Sequence, residues 1–335
     1  MIKFCVFADL HYKKRMYSSS IEHLEQILVR ANKENIDFVL HVGDFCNDYA
    51  GSPELMRAYH QNQYNLPVYG VYGNHELETV GNSMENVTPL LCNSPVNFGE
   101  AENGEPIGYW YTDIKSFRLI GLDSNYSYSP TEGKWEHNRP ASYGCPAGNV
   151  KSDSLAPTQL EWLDKLLADA AKKNMKAIVV SHACFSGLWY RNAEADTVRA
   201  IFAKYPGTVL LAINGHEHTD HFAVRDGVAY FDVNTAVNGY WEKHTEYHYA
   251  DDHTFRFTDY DENGNATTTE DFPLNKLRQG TNTWFFTEPL SAIVTVTEDG
   301  EITVKGAQTE WLYGVEPPKD IDGVKTAIED RSVKL

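Results

Sequence analysis

Five times along this chain an apolar, β-prone run ends in a short cluster of aspartate, histidine or asparagine, and this recurrence limits the fold more than any other feature. Residues 2–8 run into Asp9 and His11, 38–42 into Gly43-Asp44, 67–72 into Gly73-Asn74-His75-Glu76, 177–180 into Ser181-His182, and 208–213 into Gly215-His216-Glu217-His218. Between the first two runs Leu24, Ile27, Leu28 and Ala31 recur at helical spacing, so a helix returns the chain to begin a parallel neighbour. A second helix is expected over 53–64 and a fourth over 193–204. Between them Pro157 opens a third, Pro157–Lys172, with Leu160, Leu163, Leu166 and Leu167 on one face. The alternation is an α/β pattern, and in an open α/β sheet the loops after the strand ends are where sites form.

Residues 107–111 and 117–122 are β-prone runs set close together, which predicts an antiparallel pair and hence a mixed sheet. Beyond about residue 240 the helical periodicity stops and Thr, Tyr, Asp and Asn dominate, while 292–297 and 301–305 flank Asp299-Gly300 as a hairpin. The expected organisation is a core over residues 1–240 and a β-rich C-terminal extension over 241–335.

Composition removes several function classes. The 335 residues can bury a sizeable core, and 42% hydrophobic with 23% charged residues is ordinary globular usage. Acidic residues number 47 against 29 basic ones, a net charge of −18 spread along the chain, which disfavours nucleic-acid binding through a basic field. No apolar run approaches the roughly 20 residues that cross a bilayer. Five cysteines, Cys5, Cys46, Cys92, Cys145 and Cys184, contain no Cys-x-x-Cys pair, and the N-terminus reads as a strand. A cytoplasmic chain with reduced thiols is the expectation, and a secreted form with its leader removed would read the same.

Any one Asp or His cluster is an ordinary strand end, but five at successive strand ends need a common cause. His, Asp and Asn supply nitrogen and oxygen ligands without thiolate, a set suited to Zn, Mn, Fe or Mg.

In their order and separations, Asp9-x-His11, Gly43-Asp44, Gly73-Asn74-His75-Glu76, Ser181-His182 and Gly215-His216-Glu217-His218 resemble the five signature blocks of the calcineurin-like metallophosphoesterase superfamily. The resemblance implies an α/β fold, a four-layer αββα sandwich of two mixed β-sheets flanked by helices. It also implies two divalent or transition metal ions, with Mn, Fe or Zn ahead of Mg. One would be held by Asp9, His11, Asp44 and His218, the other by Asp44, Asn74, His182 and His216, with Asp44 bridging. A hydroxide between the ions would attack phosphorus in line, and His75 would protonate the leaving oxygen or stabilise the transition state, with Asp44 and Asn74 completing the catalytic set. Glu76 reads as an orienter of His75 or as structural, and Asn74, His75 and Arg191 are candidate substrate contacts.

Two departures narrow the expectation. Purple acid phosphatases carry a tyrosine ligand three residues after the bridging aspartate, where this chain has Asn47, and Ser/Thr protein phosphatases carry an arginine four residues after it, where this chain has Asp48. The expected substrate is therefore a small phosphate ester, monoester or diester. A metal-dependent nuclease is the alternative, disfavoured by charge; a non-catalytic binding protein on the same scaffold is disfavoured by the intact ligand set. Tyr12, Trp189, Tyr190, Tyr240 and Trp241 crowd the site loops and read as packing, or as stacking surfaces for a nucleobase or sugar.

Overall fold

Alternation along the first strand sets the layering. In the computed structural model, Phe4, Val6 and Ala8 turn to one side and Cys5 and Phe7 to the other, and both faces are buried. The structure describes residues 1–12, 20–47, 52–61, 66–77, 88, 92–99, 108–129, 132–137, 154–186, 192–240, 246–261, 263, 265–277, 281–318 and 325–335.

Among the described residues, six strands form the first sheet: β1 (Ile2–Phe7), β2 (Phe38–His41), β3 (Val68–Gly70), β17 (Ala292–Val296), β18 (Glu301–Gly306) and β19 (Arg331–Lys334), ordered β19-β18-β17-β1-β2-β3. Seven form the second: β4 (Asn97–Phe98), β5 (Trp110–Ile114), β6 (Phe117–Gly121), β9 (Lys176–Val180), β10 (Val209–Asn214), β11 (His221–Arg225) and β12 (Val228–Asp232), ordered β11-β12-β10-β9-β6-β5-β4. Both sheets are mixed: β1, β2 and β3 run parallel with β17 antiparallel to β1, and β6, β9, β10 and β12 run parallel between antiparallel β5 and β11.

The inner faces meet in one apolar core that joins Phe4, Leu40 and Val294 to Leu119, Ile178 and Ile213. Helix α1 (Ser20–Lys33) and α2 (Pro53–Gln61) cover the outer face of the first sheet, where Leu24, Ile27 and Leu28 pack on Cys5, Phe7 and Val39. Each such buried side chain contributes about 1.5–3 kcal/mol. On the outer face of the second sheet, Leu163 and Leu167 of α3 (Pro157–Lys172) and Val198 and Phe202 of α4 (Ala195–Ala203) pack on Ile120, Val179 and Ala212. The result is the four-layer αββα sandwich that the resemblance implied.

Residues beyond 240 have two destinations. The hairpin expected around Asp299-Gly300 is β17 with β18, and it joins the first sheet by pairing Ile2 with Val296 through to Val6 with Ala292. β19 extends that sheet beside β18, while β16 (Thr283–Phe285) pairs with β13 (Asn238–Tyr240), and β14 (Thr254–Tyr260) pairs with β15 (Ala266–Pro273) over a satellite core that includes Tyr249, Phe255, Leu274 and Phe285. A further pair, β7 (Tyr126–Ser129) and β8 (Lys134–His137), follows β6.

One buried group on the inner face of α1, His23, is expected to make the fold acid-sensitive. His23 is buried, its Nε2–H donates to Thr287 O at 3.4 Å, and its Nδ1 has no hydrogen-bond partner among the described residues. Burial pushes its pKa down to about 4, against the opposing Thr287 bond. The unfolded chain takes up a proton near pH 6.5 that the folded chain refuses until about pH 4, so stability falls as pH falls through that window. His23→Leu is expected to lose less stability than wild type between about pH 7.5 and about pH 4.5, by on the order of 2–3 kcal/mol. Urea unfolding at both pH values measures the difference, and equal losses in the two proteins would contradict it.

Candidate metal centre and active site

The strand-end clusters meet at one edge of the sandwich, and the backbone there is strained. Asp9, His11, Asp44, His216 and His218 all have positive φ, between 48° and 69°. A non-glycine residue in that region costs about 1–3 kcal/mol and persists only where surrounding structure enforces it. Glycine enters the motifs for space as well as conformation. At Gly43, φ is 87° and a Cβ would lie 2.5 Å from His182 Nδ1, while a Cβ at Gly73 would overlap the Asp44 carboxylate.

Among the described residues three groups of potential ligand atoms result: Asp9, His11 and His218; His11, Asp44 and His75; and Asp44, His182 and His216. Asp44 belongs to two of them. Its Oδ2 lies 3.3 Å from His182 Nε2 and 3.8 Å from both His11 Nε2 and His75 Nε2, while Oδ1 accepts the His75 backbone N–H at 2.9 Å. Asp9 Oδ1 lies 3.4 Å from His218 Nε2, and both Asp9 oxygens face the His216 backbone N–H, at 3.1 and 3.3 Å. The His75 side chain is 27% exposed, against 18% for His218, 6% for His11 and 1% for His182.

The imidazole pairs test whether cations fit. His11 Nε2 faces His218 Nε2 at 2.9 Å, and His182 Nε2 faces His216 Nδ1 at 3.1 Å. Two ring nitrogens at that separation hold one proton between them or share a cation. The rings are aimed from behind: His11 Nδ1–H donates to Asn47 Oδ1 at 2.8 Å and His182 Nδ1–H donates to Val42 O at 2.7 Å, which leaves each Nε2 lone pair facing inward.

Charge divides across the cluster. Burial pushes His11 down to about 3 and His216 down to about 4, so both are neutral near pH 7 and can offer a lone pair. Burial also works against ionised Asp44, but the imidazoles of His182, His75 and His11 outweigh it and hold the carboxyl well below its ordinary range. Asp9 is lowered in the same way, against burial, chiefly by His218. Burial opposes charge on His182, yet Asp44 draws it up to about 10. A proton and a metal cation compete for that His182 lone pair, and ligation displaces the proton. These His and Asp residues build a dinuclear metal-binding site with nitrogen and oxygen donors and no thiolate.

The structure brings Asp9, His11, Asp44, His75, His182, His216 and His218 together, and Asn74 is half-buried on the same loop as His75. Arg191 lies outside the described residues, as do Asp48, Trp189, Tyr190, Trp241, Cys145 and the Tyr240 side chain. Tyr12 is buried beside Cys46, in accord with a packing role, and Cys5, Cys46 and Cys184 are buried thiols. Glu76 acts on backbone: its carboxylate accepts N–H groups from Gly73 at 2.6 Å and from Asp44 and Cys46 at 3.0 Å. Burial first, then the Asp44 charge, pushes its pKa up to about 7. Sequence reading missed Asn47 as the residue that orients His11, and Thr235, whose hydroxyl donates to Asp9 O at 3.0 Å. An amide three residues after an aspartate and a threonine after a strand are both ordinary turn residues, so neither carried a signal.

The model of the calcineurin-like phosphoesterase family matches residues 2–220. A manganese-dependent ADP-ribose/CDP-alcohol diphosphatase of Arabidopsis thaliana is 27% identical over 266 residues, covering 67% of this chain and 82% of the relative. A protein of the same description from Xenopus laevis is 26% identical over 248 residues, covering 62% and 67% respectively. Among solved structures, a dimetal phosphatase from Danio rerio shares the fold with a TM-score of 0.58 at 14% identity, covering 93% of this chain and 98% of that one. With its sandwich, its strand-end ligand set and a match over residues 2–220, the chain belongs to the calcineurin-like phosphoesterase family of metal-dependent hydrolases.

Proposed function

We propose that this protein hydrolyses a small phosphate ester or diphosphate, with manganese as its working metal and nucleoside-diphosphate conjugates as the leading substrate class. The observation that carries this reading is the convergence of seven Asp and His side chains, Asp44 among them, five of which sit on left-handed backbone. Manganese and the substrate class are supported by the relatives described as ADP-ribose/CDP-alcohol diphosphatases. Asp9, His11 and His218 would hold one cation with Asp44, and Asp44, Asn74, His182 and His216 the other. Two divalent cations, when bound, polarise a phosphoryl oxygen and lower the pKa of water toward about 7.

The residues supply the rest. Asp9 and Asp44 cancel only part of the charge of two divalent ions, so the site stays positive toward phosphate inside a chain of net charge −18. His75, with Nε2 3.8 Å from Asp44 Oδ2 and its ring partly exposed, can hold a proton for the departing oxygen. Its backbone N–H on Asp44 Oδ1 ties its position to that of the shared carboxylate.

The test is turnover of ADP-ribose, a CDP-alcohol, p-nitrophenyl phosphate and bis-p-nitrophenyl phosphate by apo protein reloaded separately with Mn, Zn, Fe and Mg. Turnover of the diphosphates with Mn is expected to lead, and failure on every substrate with every metal would refute the reading. His75→Ala is expected to lower kcat by about 10²–10⁴-fold with both ions still bound. An unchanged kcat would remove His75 from the chemistry.

A further inference from the structure

The loop that carries His216 and His218 leads directly to Asp220, whose buried carboxylate accepts Arg331 Nη1 on Oδ1 at 2.8 Å, and Arg331 Nη2 at 2.5 Å and the Glu329 backbone N–H at 3.0 Å on Oδ2. This is a two-pronged guanidinium–carboxylate pair, a geometry that fixes orientation as well as distance. The guanidinium also lies over the Phe222 ring, 5.6 Å from its centre.

The same C-terminal segment grips a second loop. Lys325 O and Ala327 O accept Asn234 Nδ2 at 2.7 and 3.3 Å, and the next residue, Thr235, donates its hydroxyl to Asp9 O. The segment is itself anchored to the first sheet. Ile328 is buried in the inter-sheet core, its N–H donates to Ala307 O at 2.9 Å, and its carbonyl packs so closely on Gly306 that a Cβ there would overlap it. A single stretch of chain thus holds Asn234, whose neighbour Thr235 bonds Asp9, and Asp220, two residues after His218, and Asp9 and His218 are members of one candidate ligand group.

We propose that residues 325–331 form a positioning strap for the metal centre, in which Arg331 acts through Asp220 to hold the His216–His218 loop in its ligating, left-handed conformation. The inference rests on the metal-centre reading and goes beyond it, because it assigns a role to residues outside the segment 2–220 that matches the family. A guanidinium that only stabilised the fold would affect melting. A positioning residue also affects metal affinity, as partners that orient ligands do.

The experiment is calorimetric titration of the metal-free full chain with Mn²⁺ at a temperature where circular dichroism shows each variant folded, with paramagnetic resonance of the loaded protein. Arg331→Ala is expected to weaken Mn²⁺ binding by about tenfold or more and to replace the coupled two-ion signal with that of an isolated ion, and Arg331→Lys to recover part of both. Lys334→Ala, on the same strand but in an exposed pair with Asp299, is the control and is expected to bind as wild type does. Should Arg331→Ala fail to fold, Asn234→Ala releases the other grip and is expected to weaken Mn²⁺ binding in the same direction. Two ions bound with wild-type affinity in a folded Arg331→Ala or Asn234→Ala protein, however low its melting temperature, would overturn the strap. A wild type that binds no Mn²⁺ would instead overturn the metal-centre reading, and the strap with it.

Discussion

An Asp44→Asn chain is expected to fold normally and to lose phosphoester turnover by about a thousandfold or more. Asparagine preserves the shape of the site and one of its bonds, since the amide oxygen can still accept the His75 N–H that Oδ1 accepts at 2.9 Å. The loss falls on Oδ2, the oxygen that lies 3.3 Å from His182 Nε2 and 3.8 Å from His11 and His75. An amide NH₂ there has no lone pair for a cation and removes one negative charge from the point where two candidate ligand groups share a residue. Metal analysis is expected to show fewer than two ions per chain, and the rise in melting temperature that Mn²⁺ gives to wild type should shrink or vanish. The metal-free protein should melt below wild type at neutral pH, because the imidazoles that hold the Asp44 carboxyl ionised lose their counter-charge and the buried His182 loses the partner that draws its pKa up. Wild-type turnover with two ions bound would show that Asp44 does not bridge the centre.

Much of this site was legible in the sequence, for a physical reason. A strand buried on both faces is nearly continuously apolar, so the first aspartate or histidine after residues 2–8 or 208–213 marks both the strand end and a group that needs a special environment. Helix α1 was legible for the same reason, because Leu24, Ile27, Leu28 and Ala31 write the buried face at the helical period. The pairing of β17 with β1 was not. Strand periodicity says which side of a strand is buried and nothing about its neighbour, and Ile2 and Val296 lie at opposite ends of the chain. The strain at Asp9, His11, Asp44, His216 and His218 was equally invisible, since each is an ordinary residue type whose left-handed backbone is imposed by the meeting of distant loops. Contacts such as His11 with Asn47, or Asp220 with Arg331, depend on that same meeting. Sequence therefore named residues that the structure brings together, and the structure was needed to find what aims them.

Glu76 is the strongest case of such aiming, and Glu76→Ala is expected to damage fold and activity together. Its buried carboxylate takes the backbone N–H groups of Gly73, Asp44 and Cys46, which belong to two different strand-end loops. Alanine would leave three buried donors without their acceptor, at about 1–3 kcal/mol each, a large fraction of the roughly 5–15 kcal/mol that stabilises a domain. Glutamine separates the two effects. Its carbonyl can take the place of Oε2, which serves Asp44 and Gly73, while its NH₂ confronts the Cys46 N–H that Oε1 accepts at 3.0 Å. One donor is then lost instead of three, so Glu76→Gln is expected to fold with a loss of about 1–3 kcal/mol and to keep Asp44 near its place. Urea unfolding and Mn²⁺ titration of both variants test this. Alanine should lose both stability and metal, glutamine should lose modest stability and retain two ions, and an alanine variant as stable as wild type would show that the two loops hold each other without the carboxylate.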